Sequence, residues 1–183
     1  EQIQDLLEAI EQDSHPTAGP LMKFALFTGM RRGEMFRLEW EHIDSEKILI
    51  VDPKNDASQT IPLNDAAREV LESLERTSKY VFPGRGGNQR TDINKQVNRI
   101  KEAAGLPQDC RPLHSLRHTF ASQLVSNGVD LFTVQKLLTH QSPEMTQRYS
   151  NLADEAKRRA SNKIGDIVKG HTGKSNKVAN FKT

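Results

Sequence analysis

The chain contains several cations and one hydroxyl group whose types suit chemistry on a phosphate. Arg31 directly follows an apolar segment, and Arg117 comes three positions after His114. This spacing puts His114 and Arg117 on one face of a helix. His140 follows a second apolar run, and Tyr149 comes nine residues later. A phosphodiester under attack accumulates negative charge on its non-bridging oxygens, and planar guanidinium groups stabilise such charge well.

A tyrosine could serve as the nucleophile in such a reaction. Its hydroxyl group has a pKa of about 10 and needs nearby cations or a base to become reactive. The leaving 5′ oxygen needs a proton, and Lys54, near the tip of a predicted hairpin, could donate it. A covalent phosphotyrosine conserves the energy of the bond, so the strand can be rejoined without ATP. The residues therefore predict phosphoryl transfer through Tyr149, with no cofactor.

Other kinds of catalytic site find less support in the sequence. There is no P-loop, no Gly-x-Ser-x-Gly segment and no cluster of cysteines and histidines. His118 follows His114 at a spacing that zinc sites use on helices. Arg117 stands beside it and would repel a dication, and no acidic residue lies between the two histidines. We therefore expect no metal and give His118 a structural role.

The pattern of apolar residues predicts a mainly helical fold with a small antiparallel sheet, an α+β class. Strands are expected at residues 47–52 and 59–63, joined by turn residues that include Lys54. A Gly or Asn-Gly after three of the apolar segments is typical of helix ends. The predicted helices cover residues 2–12, about 21–28, 33–38, 65–76, 91–104, 113–126, 131–138 and 154–168, and a further one begins near 143.

Length and charge are consistent with one domain that binds a polyanion. The 183 residues suit a single core, and the single cysteine, Cys110, fits a reducing compartment such as the cytoplasm. Residues 1–50 hold ten acidic and five basic residues, whereas residues 150–183 hold three acidic and eight basic ones. Such a basic end is typical of DNA contact and equally of a solvated surface. We expect a domain at residues 1–168 and a flexible basic tail at 169–183.

Three segments resemble the conserved boxes of the tyrosine recombinase (phage integrase) family. Each box alone is moderately specific, but the three occur in the right order and at plausible separations. The resemblance runs from about residue 16 to 160 and predicts the fold of that family's catalytic domain. The boxes are Thr28–Glu34 with Leu38–Trp40, His114–Ser122, and Leu137–His140 with Thr146–Tyr149.

The resemblance implies a role for each matching residue. By that resemblance, Arg31 and Arg117 clamp the phosphate, Lys54 is the general acid, His114 pairs with the nucleophile, His140 binds phosphate, Tyr149 forms a 3′-phosphotyrosine and Glu34 supports the site. We also expect Arg32, Arg111 and Arg148 to contact DNA. The family often has Asp where this chain has Ser115 and Gly where it has Thr139, which we interpret as local backbone variation.

The family implies a site-specific DNA recombinase, with the integrase of a prophage or mobile element as the leading hypothesis. Its partners would be a double-stranded recombination site, further copies of itself in a tetramer and accessory DNA-bending proteins. A membrane partner is not expected. We further expect an N-terminal DNA-clamping domain to be absent from this chain. Alternatives are type IB topoisomerase-like relaxation, a DNA-binding module without catalysis, and a zinc hydrolase.

Overall fold

The computed structural model describes residues 2–52 and 57–172 and is mainly helical. Its only regular sheet in this part of the chain is a two-stranded antiparallel one, so the predicted fold class is confirmed. Short 3-10 turns lie at Trp40–His42 and Arg85–Gly87. The helices and strands are α1 (Gln2–Gln12), α2 (Ala18–Thr28), α3 (Arg32–Arg37), β1 (Lys47–Asp52), β2 (Ala57–Pro62), α4 (Asp65–Glu72), α5 (Asn94–Ala103), α6 (Pro112–Ser126), α7 (Leu131–Leu137), α8 (Glu144–Gln147) and α9 (Ser150–Thr172).

A large apolar core is built around α2. This helix is apolar on almost every side, as expected of a helix that is surrounded by others. Leu21, Met22, Phe24 and Ala25 are fully buried, and α1, α4, α5 and α6 all pack against α2 or its neighbours. The Phe24 ring lies 5.3 Å from that of Phe82 in a tilted arrangement. The residues that precede Arg31 are therefore held by the best-packed part of the molecule.

A smaller apolar core lies at the other end of α6. It contains Ala121 and Val125 of α6, Val134 of α7, and Tyr149 at the start of α9. The first turns of α6 instead contribute to the large core. The middle of α6 thus bridges the two cores, and a polar residue placed there faces the boundary between them.

The end of α2 approaches α6 so closely that only glycine fits. Gly29 has a φ of 65° and its N–H donates to the Ala25 carbonyl, which ends the helix in the left-handed conformation. A Cβ atom at this position would lie 2.5 Å from Cδ1 of Phe120. This contact fixes where the chain leaves α2, and therefore where Arg31 begins α3.

The hairpin pairs β1 with β2 in the register Lys47↔Pro62 to Asp52↔Ala57. The predicted general acid, Lys54, lies between the strands and outside the described residues. β2 packs near α7, so the hairpin stands beside the segment that holds Thr139 and His140.

Several helix boundaries differ from the sequence prediction by a few residues, for example the start of α5 at Asn94 instead of 91, and two of the differences have a visible cause. α4 ends at Glu72, four residues early, where the Ser73 hydroxyl donates to the Val70 carbonyl at 2.7 Å. α9 begins at Ser150 instead of residue 154, because the Ala153 N–H donates to the Tyr149 carbonyl at 3.1 Å. Tyr149 consequently stands at the junction of α8 and α9 and is held by helical backbone on both sides.

The end of the predicted domain falls within α9, which continues to Thr172. The basic tail predicted beyond it lies mostly at residues 173–183, outside the described part of the chain, and stays a prediction. Within residues 2–52 and 57–172, every helix is too short or too polar to cross a membrane.

Candidate active site

One groove of about 920 Å³ collects most of the residues that the sequence singles out. It opens where α3, α5, α6 and the segment from α7 to α9 meet, at the boundary between the two cores. Of the predicted site residues, Glu34 lies outside its lining and Lys54 lies outside the described residues. The predicted residues that line the groove are Arg31, Arg32, Arg111, His114, Arg117, His140, Arg148 and Tyr149.

Arg31 stands at the start of α3 and is fixed by Glu34. The Arg31 Nη1 atom lies 2.8 Å from Oε1 of Glu34, and the Arg31 backbone N–H donates to Oε2 at 2.7 Å. The Glu34 carboxylate is nearly buried, while the Arg31 side chain keeps over a third of its surface exposed. Glu34 therefore caps α3 and orients the guanidinium group while leaving it accessible from the groove.

Thr139 gives Arg31 a second anchor from a distant part of the sequence. Arg31 Nη1 donates to the Thr139 hydroxyl at 2.8 Å, and the guanidinium also approaches the Thr139 carbonyl at 3.3 Å. Thr139 is only 4% exposed and has a φ of 51°, a conformation that β-branched residues rarely adopt. Glycine, which the resemblance leads us to expect at this position, adopts such a backbone without strain. Here the chain combines that strained backbone with a hydroxyl group that holds Arg31.

Arg117 is anchored by the carbonyl ends of two helices. Its Nη1 donates to the Gly29 carbonyl, at the end of α2, and its Nη2 to the Leu138 carbonyl, at the end of α7, both at 2.6 Å. Helix C-termini carry partial negative charge and favour a cation. Burial, and then the charge of Arg31, lower the pKa of Arg117 to about 10, so it stays protonated at neutral pH. Its remaining N–H donors are available to the groove.

His140 contributes a neutral ring to the same groove. Its Nδ1 lies 2.7 Å from the hydroxyl of Thr146, which is buried. Burial, followed by the charges of Arg117, Arg31 and Arg148, lowers the pKa of His140 to about 4. When the Thr146 hydroxyl group donates to Nδ1, the neutral ring carries its proton on Nε2 and presents a hydrogen-bond donor to the groove.

Tyr149 is docked at the groove through His118. The phenol oxygen lies 2.7 Å from Nδ1 of His118, and Nε2 of His118 lies 2.8 Å from Nε2 of His114. Tyr149 is 5% exposed, and burial raises the pKa of its hydroxyl group, although the charges of Arg148 and Arg117 act in the opposite direction. The imidazole that contacts the predicted nucleophile is thus His118, and His114 stands one step further away.

The site consists of two parts that are held differently. We call Arg31, Glu34, Arg117 and Thr139 the arginine side, and His114, His118, Arg148 and Tyr149 the tyrosine side. His140 lies between them, since its pKa responds to charges of both.

The three arginines predicted to contact DNA all line the groove and are exposed. Arg32 lies over the Phe36 ring and donates to the Asn94 side chain at 3.1 Å. Arg148 approaches Nε2 of His118 at 3.1 Å, so it also belongs to the tyrosine side. Arg111 immediately precedes α6 and lines the groove together with Asn94 and Lys101.

Sequence reasoning missed the contacts of two residues. His118 has a visible signal, because its spacing from His114 puts both rings on one face of α6, where they meet edge to face at 4.4 Å. Thr139 has a signal only through the resemblance, as a side chain at a position where the family often has glycine. Within the described part of the chain, no group of three or more His, Cys, Asp or Glu side chains is arranged to hold a metal ion.

Comparison with known families assigns the chain to one of them. The model of the phage integrase family matches residues 1–156, which is most of the chain. The chain belongs to the phage integrase family. The family predicted from the three boxes is therefore confirmed.

Individual family members agree in sequence and in fold. The chain is 32% identical over 167 residues to the tyrosine recombinase XerC of Xanthomonas axonopodis pv. citri, a match that covers 82% of this chain and 54% of that protein. The catalytic domain of bacteriophage HP1 integrase superposes with a TM-score of 0.68 at 26% identity, covering 88% of this chain and 90% of that domain. The XerH site-specific recombinase, in a post-cleavage complex with its difH substrate, gives a TM-score of 0.72 at 26% identity and covers 87% of this chain and 50% of that one. The chain spans about half the length of these two recombinases.

Proposed function

We propose that the chain is the catalytic part of a site-specific DNA recombinase of the integrase type, which cuts and rejoins strands through a 3′-phosphotyrosine at Tyr149. The observation that carries the proposal is the convergence of Arg31, Arg117 and His140 on one groove with the Tyr149 hydroxyl group. Family membership supports it, as does the likeness to a recombinase captured with its DNA after cleavage.

The proposed chemistry begins with binding of the scissile phosphate on the arginine side. Arg31 and Arg117 donate to its non-bridging oxygens, and the fixed orientation of both forks means that little reorganisation is needed as charge develops. His140 donates through Nε2, and because its pKa is about 4 it is too weak a base to compete for the proton of the nucleophile. Glu34 and Thr139 act only through Arg31, as positioning residues.

The covalent step exchanges one phosphate ester for another. The Tyr149 oxygen loses its proton and forms a bond to phosphorus, while the bond from phosphorus to the 5′ oxygen breaks. Lys54 supplies the proton that turns this oxygen into a free hydroxyl group. Rejoining is the reverse, with a 5′ hydroxyl group attacking the phosphotyrosine. The bond count is unchanged, so the step consumes neither ATP nor a redox equivalent.

Double-stranded DNA is the proposed partner. Arg32, Arg111 and Arg148 surround the groove and would contact phosphates on either side of the cut, which positions the duplex without reading its sequence. A tetramer on a recombination site, with accessory DNA-bending proteins, remains part of the same hypothesis.

Capture of the covalent intermediate tests the proposal. The chain is incubated with a pool of duplexes that carry random sequence around a nick, so that cleavage near the nick releases a short fragment and traps the adduct. We expect a protein–DNA adduct on denaturing gels, linked through Tyr149 by peptide mass spectrometry. Tyr149→Phe is expected to abolish the adduct while DNA binding is retained.

Three outcomes would contradict the proposal. An adduct that persists in Tyr149→Phe would place the nucleophile elsewhere, and the absence of any adduct in the unaltered chain would remove the catalytic assignment. Relaxation of supercoiled plasmid without a specific site would favour the topoisomerase-like alternative.

A further inference from the structure

We propose that His118 is a further catalytic residue, which takes the proton from the Tyr149 hydroxyl group and passes one on to His114. This inference rests on the proposed function, since it assigns the path of the proton that the nucleophile must lose. The family resemblance pairs the nucleophile with the position of His114. In this chain a second imidazole stands between the two.

The geometry forms a continuous chain of three polar groups. The Tyr149 oxygen and Nδ1 of His118 are 2.7 Å apart, and the Nε2 atoms of His118 and His114 are 2.8 Å apart. Both distances are those of good hydrogen bonds. Each ring nitrogen of His118 is therefore engaged, one by the reacting oxygen and the other by a second proton acceptor. His114 is exposed at the groove, so a proton that reaches it can leave to solvent.

The two tautomers of His118 correspond to the two ends of this transfer. Before it, the Tyr149 hydroxyl group donates to Nδ1 of His118, and the His118 Nε2–H donates to Nε2 of His114. During the transfer, the O–H bond of Tyr149 breaks as an Nδ1–H bond forms on His118. At the same time, the Nε2–H bond of His118 breaks as an Nε2–H bond forms on His114. His118 ends as the other neutral tautomer, and His114 ends as an imidazolium.

Arg148 stabilises the later of these two states. Its Nη1 lies 3.1 Å from Nε2 of His118, and an arginine only donates. The contact is a hydrogen bond only when Nε2 of His118 is unprotonated, which is the state after transfer. In that state the His118 Nδ1–H donates to the phenolate oxygen, so a hydrogen bond stabilises the charged nucleophile.

The surroundings of His118 favour a neutral ring, which a two-step transfer needs. Burial, and then the charges of His114, Arg148 and Arg117, lower the pKa of His118. The groups that face it are His114 and Arg117 from α6, His140 from the segment after α7, and Arg148 and Tyr149 from the α8–α9 junction. The uncharged side chains of Gln2 and Ile3 of α1 lie nearby. A ring that stayed protonated on both nitrogens would have no acceptor for the phenol proton.

The experiment measures single-turnover formation of the adduct with the nicked duplexes that the unaltered chain cleaves, at saturating DNA. We expect His118→Ala to slow adduct formation about 100-fold, in the range that a positioned acid–base group contributes. Added imidazole should raise the rate of His118→Ala by at least about tenfold, because it can fill the vacated space and accept the proton. Gln123→Ala, an exposed substitution on the same helix, is the matched control and should leave the rate unchanged.

Two further variants separate proton transfer from a merely structural role. His118→Asn puts an amide beside the phenol that can hydrogen-bond but cannot pass a proton, and it should be as slow as His118→Ala. Combined replacement of His114 and His118 by alanine should be no slower than the slower single variant, because the two residues act on one proton. Melting temperatures and DNA affinities of all variants verify that each chain is folded and saturated with DNA in the assay.

The proposal is overturned if His118→Asn reacts at the rate of the unaltered chain. It is also overturned if imidazole does not restore the rate of His118→Ala and the loss of rate in this variant adds fully to that in His114→Ala. Either result would leave an adduct at Tyr149 in place, so the proposed function would survive. If the unaltered chain formed no adduct at Tyr149, the proposed function itself would be contradicted.

Discussion

The arginine side and the tyrosine side of the groove meet at the same place but are held by different kinds of partner. Arg117 bonds to two backbone carbonyls at helix ends, and Arg31 is held by a nearly buried carboxylate and by Thr139. Tyr149 is held by an imidazole, which in turn contacts a second imidazole and an exposed arginine. The arginine side rests mainly on the large core and the tyrosine side on the small one.

This difference matches the two tasks of a phosphoryl transfer. Charge stabilisation needs donors that keep one position and one charge, and backbone carbonyls cannot change protonation. Activation of a phenol needs neighbours that gain and lose protons near neutral pH, which histidine does. The comparison predicts that the loss of an arginine cannot be compensated by a small molecule, whereas the loss of an imidazole on the tyrosine side can be compensated by imidazole from solution.

Among changes outside the nucleophile, the largest effect is expected from Arg117→Ala. This change removes the buried positive charge that would stabilise the phosphate, and it leaves the carbonyls of Gly29 and Leu138 without their donor. Adduct formation should fall by at least about two orders of magnitude, as for loss of one key electrostatic donor. Single-turnover trapping with nicked duplexes measures it.

The comparison requires that Arg117→Lys also be slow, because an ammonium group cannot bond two carbonyls and a phosphate in the same geometry. Added guanidinium or imidazole should restore little of either rate. Arg85→Ala is the matched control, since Arg85 is exposed, begins the second 3-10 turn and lies outside the lining of the groove. A rate near that of the unaltered chain in Arg117→Ala would remove the distinction between the two sides.

A smaller effect is expected from Thr139→Gly. Glycine relieves the positive φ, which contributes roughly 1 kcal/mol of strain, but it removes the hydroxyl group that holds Arg31. We expect unchanged or slightly higher thermal stability and adduct formation about tenfold slower, from loss of one hydrogen bond to a charged group.

Thr139→Ser keeps the hydroxyl group and is the control, with a rate close to that of the unaltered chain. If glycine and serine gave equal rates, Thr139 would shape the backbone without orienting Arg31, and the arginine side would depend on Glu34 and the helix ends alone.

The smallest effect concerns the pH dependence of stability at His140. Its pKa is about 4 in the folded chain against an ordinary value of 6.5, so above pH 6.5 the ring is neutral in both states and stability does not change. As the pH falls from 6.5 towards 4, the unfolded chain takes up the proton first and the folded state loses stability.

We therefore expect the melting temperature to drop less in His140→Gln than in the unaltered chain between about pH 7.5 and about pH 5. His118 and His15 also have lowered pKa values and contribute to the slope in both proteins, so the difference isolates His140. Equal slopes would show that the pKa of His140 is not lowered in the folded chain.

Local sequence was sufficient for most of the secondary structure. Thr28-Gly29 marks the end of α2, and Asn64 begins α4 by accepting from the Ala67 N–H at 2.9 Å. The boundaries that differed depended on competition that a pattern does not show, such as the Ser73 hydroxyl group that binds a helical carbonyl. Residues 150–153 lack a strong apolar period of their own, so the pattern predicts a later start of α9 than the structure has.

What the sequence determined by itself is the inventory of reactive groups and the family they imply, because residue types and local spacing record the chemistry that a chain can perform. Tertiary structure alone decided the partners of those groups. Arg31 meets Thr139 across 108 residues and Arg117 meets Gly29 across 88, and no local pattern encodes such pairings. His118 shows the same division, since its spacing from His114 is written in the sequence while its contact with Tyr149 exists only once the small core brings α9 against α6.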